Sequence, residues 1–362
     1  MNQELKNIVL QFDLQGNPFY AERFGEGHIN ETYLIKTDDN GKEIKYIFQK
    51  INSGLFPDPE KLMHNIKLVT EFTRKKILER GGDPDRESLT IIPTKDGKTF
   101  VSAKCGNYRM YKYIDGIAYQ VVENPKDFYN CAVAFGGFAN LLSKFDATQL
   151  YDILPNFHNT VKRFNDFKKS VEKNASGRAK DVQKEIDFVL SREKYCDKIV
   201  SLLDSGKMPT KVTHNDTKLN NVMFDKDSGK CLAVIDLDTI MPGSICYDFG
   251  DSIRFGCNPC AEDERDLSKV NFDINLFEQY TKGYLSAIGD GATQIERDNL
   301  AFSSILMTYE CGMRFLADHI DGDHYFHIAR ENHNLDRART QFKLITDMEK
   351  LLPEMEKIVK KY

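Results

Sequence analysis

The 362-residue sequence has no tryptophan, only 11 prolines and 23 glycines, and no excess of either charge: 50 Lys and Arg stand against 55 Asp and Glu, a net of −5. So little Gly and Pro excludes a fibrous or low-complexity chain. The near balance of charge excludes a strongly basic nucleic-acid binder. No stretch approaches 18 uncharged apolar residues, so neither a membrane span nor a membrane partner is expected. The N-terminus lacks a basic start leading into an apolar core and a small-residue cleavage site, so no signal peptide is expected and the expected compartment is the cytoplasm. The 8 cysteines are scattered, which suits free thiols in a reducing compartment. Cys257 and Cys260 form one C-x-x-C with no partner pair for zinc. What is present, 41% hydrophobic and 11% aromatic residues, is enough to build a core. The length predicts about two domains.

The first ~110 residues mix short strands with one helix. Thr32 to Thr37 and Tyr46 to Ile51 read as strands around a turn at Gly41. Pro57 and Pro59 open a helix from about Glu60 to Glu79, closed by Gly81-Gly82. Further strands are predicted at Thr90 to Pro93, Thr99 to Ala103 and Tyr108 to Ile114. From about Asn124 the pattern is helical, with apolar spacing over Phe128 to Phe145 and Val182 to Leu203. A β-rich island at Thr210 to Ile240 interrupts it. The reading is an α+β chain with a small N-terminal β-rich lobe over 1–114 and a larger, mostly helical lobe over 115–362, meeting near Tyr113 to Gly116. The protein is expected to act as a monomer.

The island is the most informative segment. His214-Asn215-Asp216-Thr217-Lys218-Leu219-Asn220-Asn221 fits H-x-D-x-x-x-x-N, the pattern of a kinase catalytic loop. Val222 to Phe224 and Leu232 to Ile235 then read as a hairpin turning around Asp227-Ser228. Paired numbers across it sum to about 455, which sets Asn221 nearly opposite Val234 and Ile235, beside Asp236. An amide oxygen and a carboxylate, with open positions left for phosphate and water, suit Mg²⁺. Asp216 is then spared to take a hydroxyl proton, and His214 reads as a buried orienting residue. Asp248-Phe249-Gly250 spells a kinase metal motif but lies outside the hairpin. Asp248 therefore reads as a structural carboxylate capping a helix that starts near Phe249. Asp238 points the same way as Asp236 if the strand continues.

Gly25 and Gly27, in FGEGHIN, precede the first strand rather than joining a strand to a helix. That placement disfavours a dinucleotide fold and suits a loop whose N–H groups, with Asn30, meet phosphates. Lys50 is the natural phosphate-contacting cation, provided the pleat turns it rather than Gln49 toward the site. Glu71, mid-helix, is a candidate partner for it. Backbone groups at Tyr113 and Ile114 are candidates for an adenine edge.

HNDTKLNNVMFD, followed by VIDLDTIMPGSICYDFGDSIRF, resembles the aminoglycoside phosphotransferase and choline kinase group of protein-kinase-like enzymes. Within it the likeness is to the N-acetylhexosamine 1-kinases, through GEGHINETYLI, QKINSGLFPDPEKLMHNI, PNFHNTVKRF and ECGMRFLADHIDGDHYF, over most of the chain. The resemblance implies a bilobal protein-kinase-like fold and transfer of phosphate from ATP, with Mg²⁺, to the anomeric hydroxyl of GlcNAc or GalNAc. It also implies Asp216 as base, Asn221 and Asp236 as metal ligands, and Arg314 and Tyr325 as sugar contacts. The family's phosphate-contacting strand often carries Arg where Lys50 stands. Read from its neighbours alone, Arg314 makes an i,i+4 pair with Glu310. Competing acceptors make different demands: an aminoglycoside needs an acidic site, which Glu262 to Asp266 offers, and choline needs an aromatic cage. A metal hydrolase would leave the glycine loop and Lys50 unexplained, and a silent binding module would leave Asp216, Asn221 and Asp236 unexplained.

Overall fold

The computed structural model describes residues 3–25, 30–119 and 124–362. The chain divides into two compact units. One comprises Met1–Ala118, Thr148–Leu154 and Val222–Met241; the other comprises Tyr119–Ala147, Pro155–Asn221 and Pro242–Tyr362. The class is α+β, with the five-stranded sheet in the first unit and most of the helices in the second. Among the described residues, no helix is long and apolar enough to cross a membrane.

The first unit opens with helix α1 (Gln3–Val9) and is built on an antiparallel sheet of β1 (Asn17–Arg23), β2 (Glu31–Asp39), β3 (Lys42–Ile51), β4 (Val101–Ala103) and β5 (Gly106–Lys112). Its spatial order is β1-β2-β3-β5-β4. Asn40 and Gly41, with φ of 54° and 87°, close the β2–β3 hairpin between Asp39 and Lys42. Two left-handed residues match the twist of the flanking strands, which is why Asn-Gly serves here. Tyr46, Phe48, Tyr108 and Met110 share one sheet face and bury it with Ile8, Val9 and Phe12. Phe48 stacks on Tyr108 at 5.2 Å. Pro59 opens α2 (Pro59–Glu79), and Asp58 caps it by accepting the Lys61 N–H at 3.0 Å. Asn65, fully buried on α2, donates to the Ile240 and Tyr151 carbonyls at 2.9 and 2.8 Å, tying in the segment after the second hairpin.

Two sequence expectations in this unit change. Thr90 to Pro93 forms a single bridge, Ile91 to Tyr111, rather than a strand; Pro93 has no N–H to extend the ladder. A short helix, α3 (Pro84–Glu87), precedes it. Strand β1 gives no signal in the sequence, because its residues are exposed or half-buried and show no apolar alternation.

The second unit is helical: α4 (Pro125–Leu141), α5 (Thr160–Lys173), α6 (Gln183–Leu190), α7 (Asp197–Asp204), α8 (Ile245–Gly256), α9 (Ile274–Ile288), α10 (Gln294–Arg297), α11 (Leu300–Asp321) and α12 (His333–Lys361). The single helix expected over Val182 to Leu203 is broken into α6 and α7. Arg192 leaves the helix to lie over Phe188 and to bind both oxygens of Glu349 on α12, at 2.7 and 2.8 Å. That partner is 157 residues away and invisible to local periodicity.

Phe249, within Asp248-Phe249-Gly250, is fully buried against Phe277, Tyr280 and Tyr284 of α9. The triplet is core helix. At Gly250 a β-carbon would collide with the Ser303 carbonyl oxygen and the Met307 side chain of α11. Gly250→Ala is therefore expected to cost about 1–3 kcal/mol by overpacking, measured as a lower urea midpoint with an unchanged slope.

Candidate active site

In the second unit, the loop His214 to Asn221 is held by Asp248. Its Oδ2 accepts the His214 N–H at 2.8 Å and its Oδ1 the Asn215 N–H at 2.7 Å. Its carbonyl accepts the Thr217 hydroxyl at 2.6 Å. Ser244, four residues earlier, takes the helix cap by accepting the Cys246 N–H. Asp248 therefore does not cap α8, as the sequence suggested; it lies in the first turn and aims its carboxylate at the loop. Burial pushes its pKa up against the pull of His214 and the two N–H donors. Asn215 adopts a left-handed φ of 66°, a conformation that Asn tolerates. His214 is buried edge-on to Phe135 and Phe138, and its Nδ1 accepts the Asp216 N–H at 3.3 Å.

This anchoring fixes Asp216. Its Oδ1 lies 2.6 Å from Lys218 Nζ, and its Oδ2 accepts from Asn221 Nδ2 at 3.0 Å. The same amide nitrogen donates to the Asp216 carbonyl at 2.8 Å, which leaves Asn221 Oδ1 as the oxygen turned away from those two bonds. Burial alone would lower the Lys218 pKa, but Asp216 outweighs it and raises it. Lys218 was not among the residues assigned from sequence, although the Asp-x-Lys spacing displays it.

In the first unit, the second hairpin pairs Val222 with Val234 and Phe224 with Cys231, within one residue of the expected register. Asp236 follows with a left-handed φ of 57°. Asp238 turns into the protein, where it pairs with Arg109 of β5 at 2.5 Å and accepts from Asn30 Nδ2 at 2.6 Å. Arg109 is only 1% exposed; its Nε donates to Gln49 Oε1 at 3.0 Å, and its guanidinium lies over the Tyr111 ring. Burial would lower its pKa, but Asp238, with Tyr111 and Asp236, raises it and keeps the cation. Sequence reasoning missed Arg109; the signal was a charge set among Tyr108, Met110 and Tyr111.

The expected nucleotide contacts are distributed as follows. Gly25 has a φ of 76° with open space around it, whereas Gly27 lies outside the described residues. Asn30 is a tether, since its Oδ1 accepts the Asn52 N–H and its nitrogen holds Asp238. Lys50 shares the Tyr46 and Phe48 face and lies 3.7 Å from Glu31; Gln49 is the residue turned toward Arg109. Glu71 is exposed and pairs with Lys67 at 3.8 Å. Tyr113 meets Phe24 edge-on at 6.0 Å and donates its N–H to the Lys45 carbonyl; Ile114 is buried.

Arg314 and Tyr325 do come together, in the second unit. Arg314 Nη2 donates to the Tyr325 hydroxyl at 3.3 Å, and its guanidinium lies 5.5 Å from the rings of Phe157, Tyr325 and Phe326. Glu310 is not hydrogen-bonded to Arg314; it binds His158 Nδ1 at 2.8 Å and the Thr160 hydroxyl at 3.1 Å. Burial would raise the Glu310 pKa, but His158, then Arg314 and Arg163, hold it below its ordinary value. Within the acidic run, Glu262 binds Arg254 at 2.6 Å, and Asp263 binds Arg330 and His333 at 3.0 Å. Among the described residues, no group of three or more His, Cys, Asp or Glu is placed to hold a metal.

The sheet, the helical unit and the His-x-Asp loop define a protein-kinase-like phosphotransferase. Residues 21–272 match the family described as Phosphotransferase enzyme family, APH, and the chain belongs to it. Solved structures of similar fold include an aminoglycoside phosphotransferase from Alicyclobacillus acidocaldarius, with a TM-score of 0.62 and 12% identity over 99% of this chain and 96% of that one. Spectinomycin phosphotransferase in complex with ADP and spectinomycin matches with a TM-score of 0.56 and 11% identity over 100% and 99%. A Plasmodium vivax ethanolamine kinase matches with a TM-score of 0.53 and 16% identity over 89% and 82%. At these identities the likeness is one of fold.

Removing one member of a buried ion pair strands the other, at about 3–5 kcal/mol. Asp238→Leu is expected to lose that much unfolding free energy in urea. Arg109→Met added to it should restore most of the loss.

Proposed function

We propose that this phosphotransferase is an ATP- and Mg²⁺-dependent kinase that phosphorylates the anomeric hydroxyl of an N-acetylhexosamine such as GlcNAc or GalNAc. In this reading residues 1–114 serve the nucleotide, and residues 115–362 carry the catalytic loop and the acceptor contacts. The observation that carries the acceptor assignment is the environment of Arg314. A guanidinium collared by three aromatic rings offers hydrogen-bond donors and flat apolar faces, which suit a ring bearing hydroxyls and an acetamido carbonyl. It repels a polyamine or a quaternary amine. Arg163 adds to this: burial first, and Arg314 second, lower its pKa, so positive charge is already crowded there. The pairing of Glu262 and Asp263 with arginines commits two carboxylates of the acidic run that an aminoglycoside would need.

Asp216 is the candidate base. Lys218 and Asn221 hold its two oxygens in one orientation, so a hydroxyl presented to it is aligned before reaction. The hydroxyl proton passes to Asp216 as the acceptor oxygen bonds to the γ-phosphorus and the bond to ADP breaks. The anomeric hydroxyl is the most acidic on a sugar, which eases that transfer. ADP in the spectinomycin phosphotransferase structure supports ATP as donor. Magnesium fits the residues present: Asn221 spends its nitrogen on Asp216, leaving a hard carbonyl oxygen, and the hairpin ends at the Asp236 carboxylate. Asn221 and Asp236 would hold the ion, which when bound neutralises charge on the phosphates.

A panel of sugars assayed for ADP release, followed by phosphorus NMR of the product, tests the proposal. GlcNAc or GalNAc is expected to yield a 1-phosphate. A 6-phosphate, or turnover with amines and choline only, refutes it.

A further inference from the structure

We propose that Asp318 is a positioning residue for acceptor binding, acting through Tyr325; this rests on the reading of Arg314 and Tyr325 as acceptor contacts. Asp318 lies in the last turn of α11 and is 6% exposed. Five consecutive backbone N–H groups converge on it. Its carbonyl accepts from Gly322 and Asp323 at 3.0 and 2.7 Å. Its Oδ1 accepts from His324 and Tyr325 at 2.9 and 2.8 Å, and its Oδ2 from Phe326 at 2.9 Å. Asn334 Nδ2 completes the set, donating to Oδ2 and to Asp323 Oδ1, both at 2.9 Å.

A helix can end with one left-handed glycine and its cap bonds, and Gly322 supplies that with φ of 111°. Asp318 goes beyond a helix stop. It spends a buried carboxylate on the N–H groups of His324, Tyr325 and Phe326, and the middle one is Tyr325. That side chain is 61% exposed, yet its backbone is fixed and its hydroxyl sits on Arg314. Phe326, the next residue, packs on Phe315 of α11 at 4.6 Å and also faces Arg314. A tyrosine that has to meet a ligand from solvent gains affinity when its backbone is ordered beforehand.

Asn in place of Asp318 keeps the shape but presents an NH₂ where an N–H donor requires an acceptor. Asp318→Asn is expected to raise the KM for GlcNAc tenfold or more, with the KM for ATP and kcat within about twofold. Asn334→Ala, which removes a single donor, should move the GlcNAc KM the same way by less. Adding Tyr325→Phe to Asp318→Asn should cost little more than Asp318→Asn alone. An unmoved GlcNAc KM in a folded Asp318→Asn protein, or equal rises for GlcNAc and ATP, overturns the proposal; if that variant does not fold, Asn334→Ala decides by the same criteria. Arg314→Ala separates the two claims. If it leaves the GlcNAc KM unchanged, the acceptor reading falls and this inference with it. If it raises the KM while Asp318→Asn does not, only the role of Asp318 is overturned.

Discussion

A carboxylate taken out of water must find donors, and this protein uses that requirement three times to fix loops that have no regular structure of their own. Asp238 collects Arg109 and Asn30, Asp248 collects two loop N–H groups and a hydroxyl through its carbonyl, and Asp318 collects three N–H groups and an amide. Each is cheap to keep satisfied and expensive to orphan. The consequence is placement. Asp236 stands two residues from the first anchor, Asp216 two residues from a backbone group held by the second, and Tyr325 directly on the third.

The same logic separates the residues proposed to do chemistry from those that hold them. Asp216, the proposed base, retains partial exposure and is held by Lys218 and Asn221, as a group that exchanges a proton would need. The anchors are buried and their partners are backbone N–H groups, buried amides or a fully desolvated arginine. Two non-glycine residues in the left-handed region, Asn215 and Asp236, flank the candidate chemistry. Such conformations persist where the surroundings over-determine them, and here the anchors supply that constraint.

Much of this was legible in the sequence. The Asn-Gly turn, the Pro-opened α2 and the second hairpin's register follow from local rules, because turn geometry and alternation act over a few residues. The Asp216, Asn221 and Asp236 spacing is local too. What was not legible depends on partners far along the chain. The break at Arg192 answers to Glu349, the orientation of Asn30 answers to Asp238, and the pleat that turns Gln49 rather than Lys50 toward Arg109 is set by β5. Asp248 looked like a cap because Asp favours caps; that it instead reaches the loop 33 and 34 residues earlier needed the tertiary fold. Arg314 was assigned by resemblance alone, and its aromatic collar is drawn from Phe157, Tyr325 and Phe326, three residues that periodicity does not connect.

In the proposed reaction the loop and the hairpin divide their labour, Asp236 serving the metal–nucleotide complex and Asp216 the acceptor. Calorimetric titration of ATP, with and without Mg²⁺, tests it in Asp236→Ala and Asp216→Asn proteins. Asp236→Ala is expected to lose the Mg²⁺-dependent part of ATP affinity, about tenfold or more, while Asp216→Asn binds ATP with its Mg²⁺ dependence intact and turns over about 10²–10⁴-fold more slowly. Undiminished Mg²⁺-dependent binding in Asp236→Ala would contradict it.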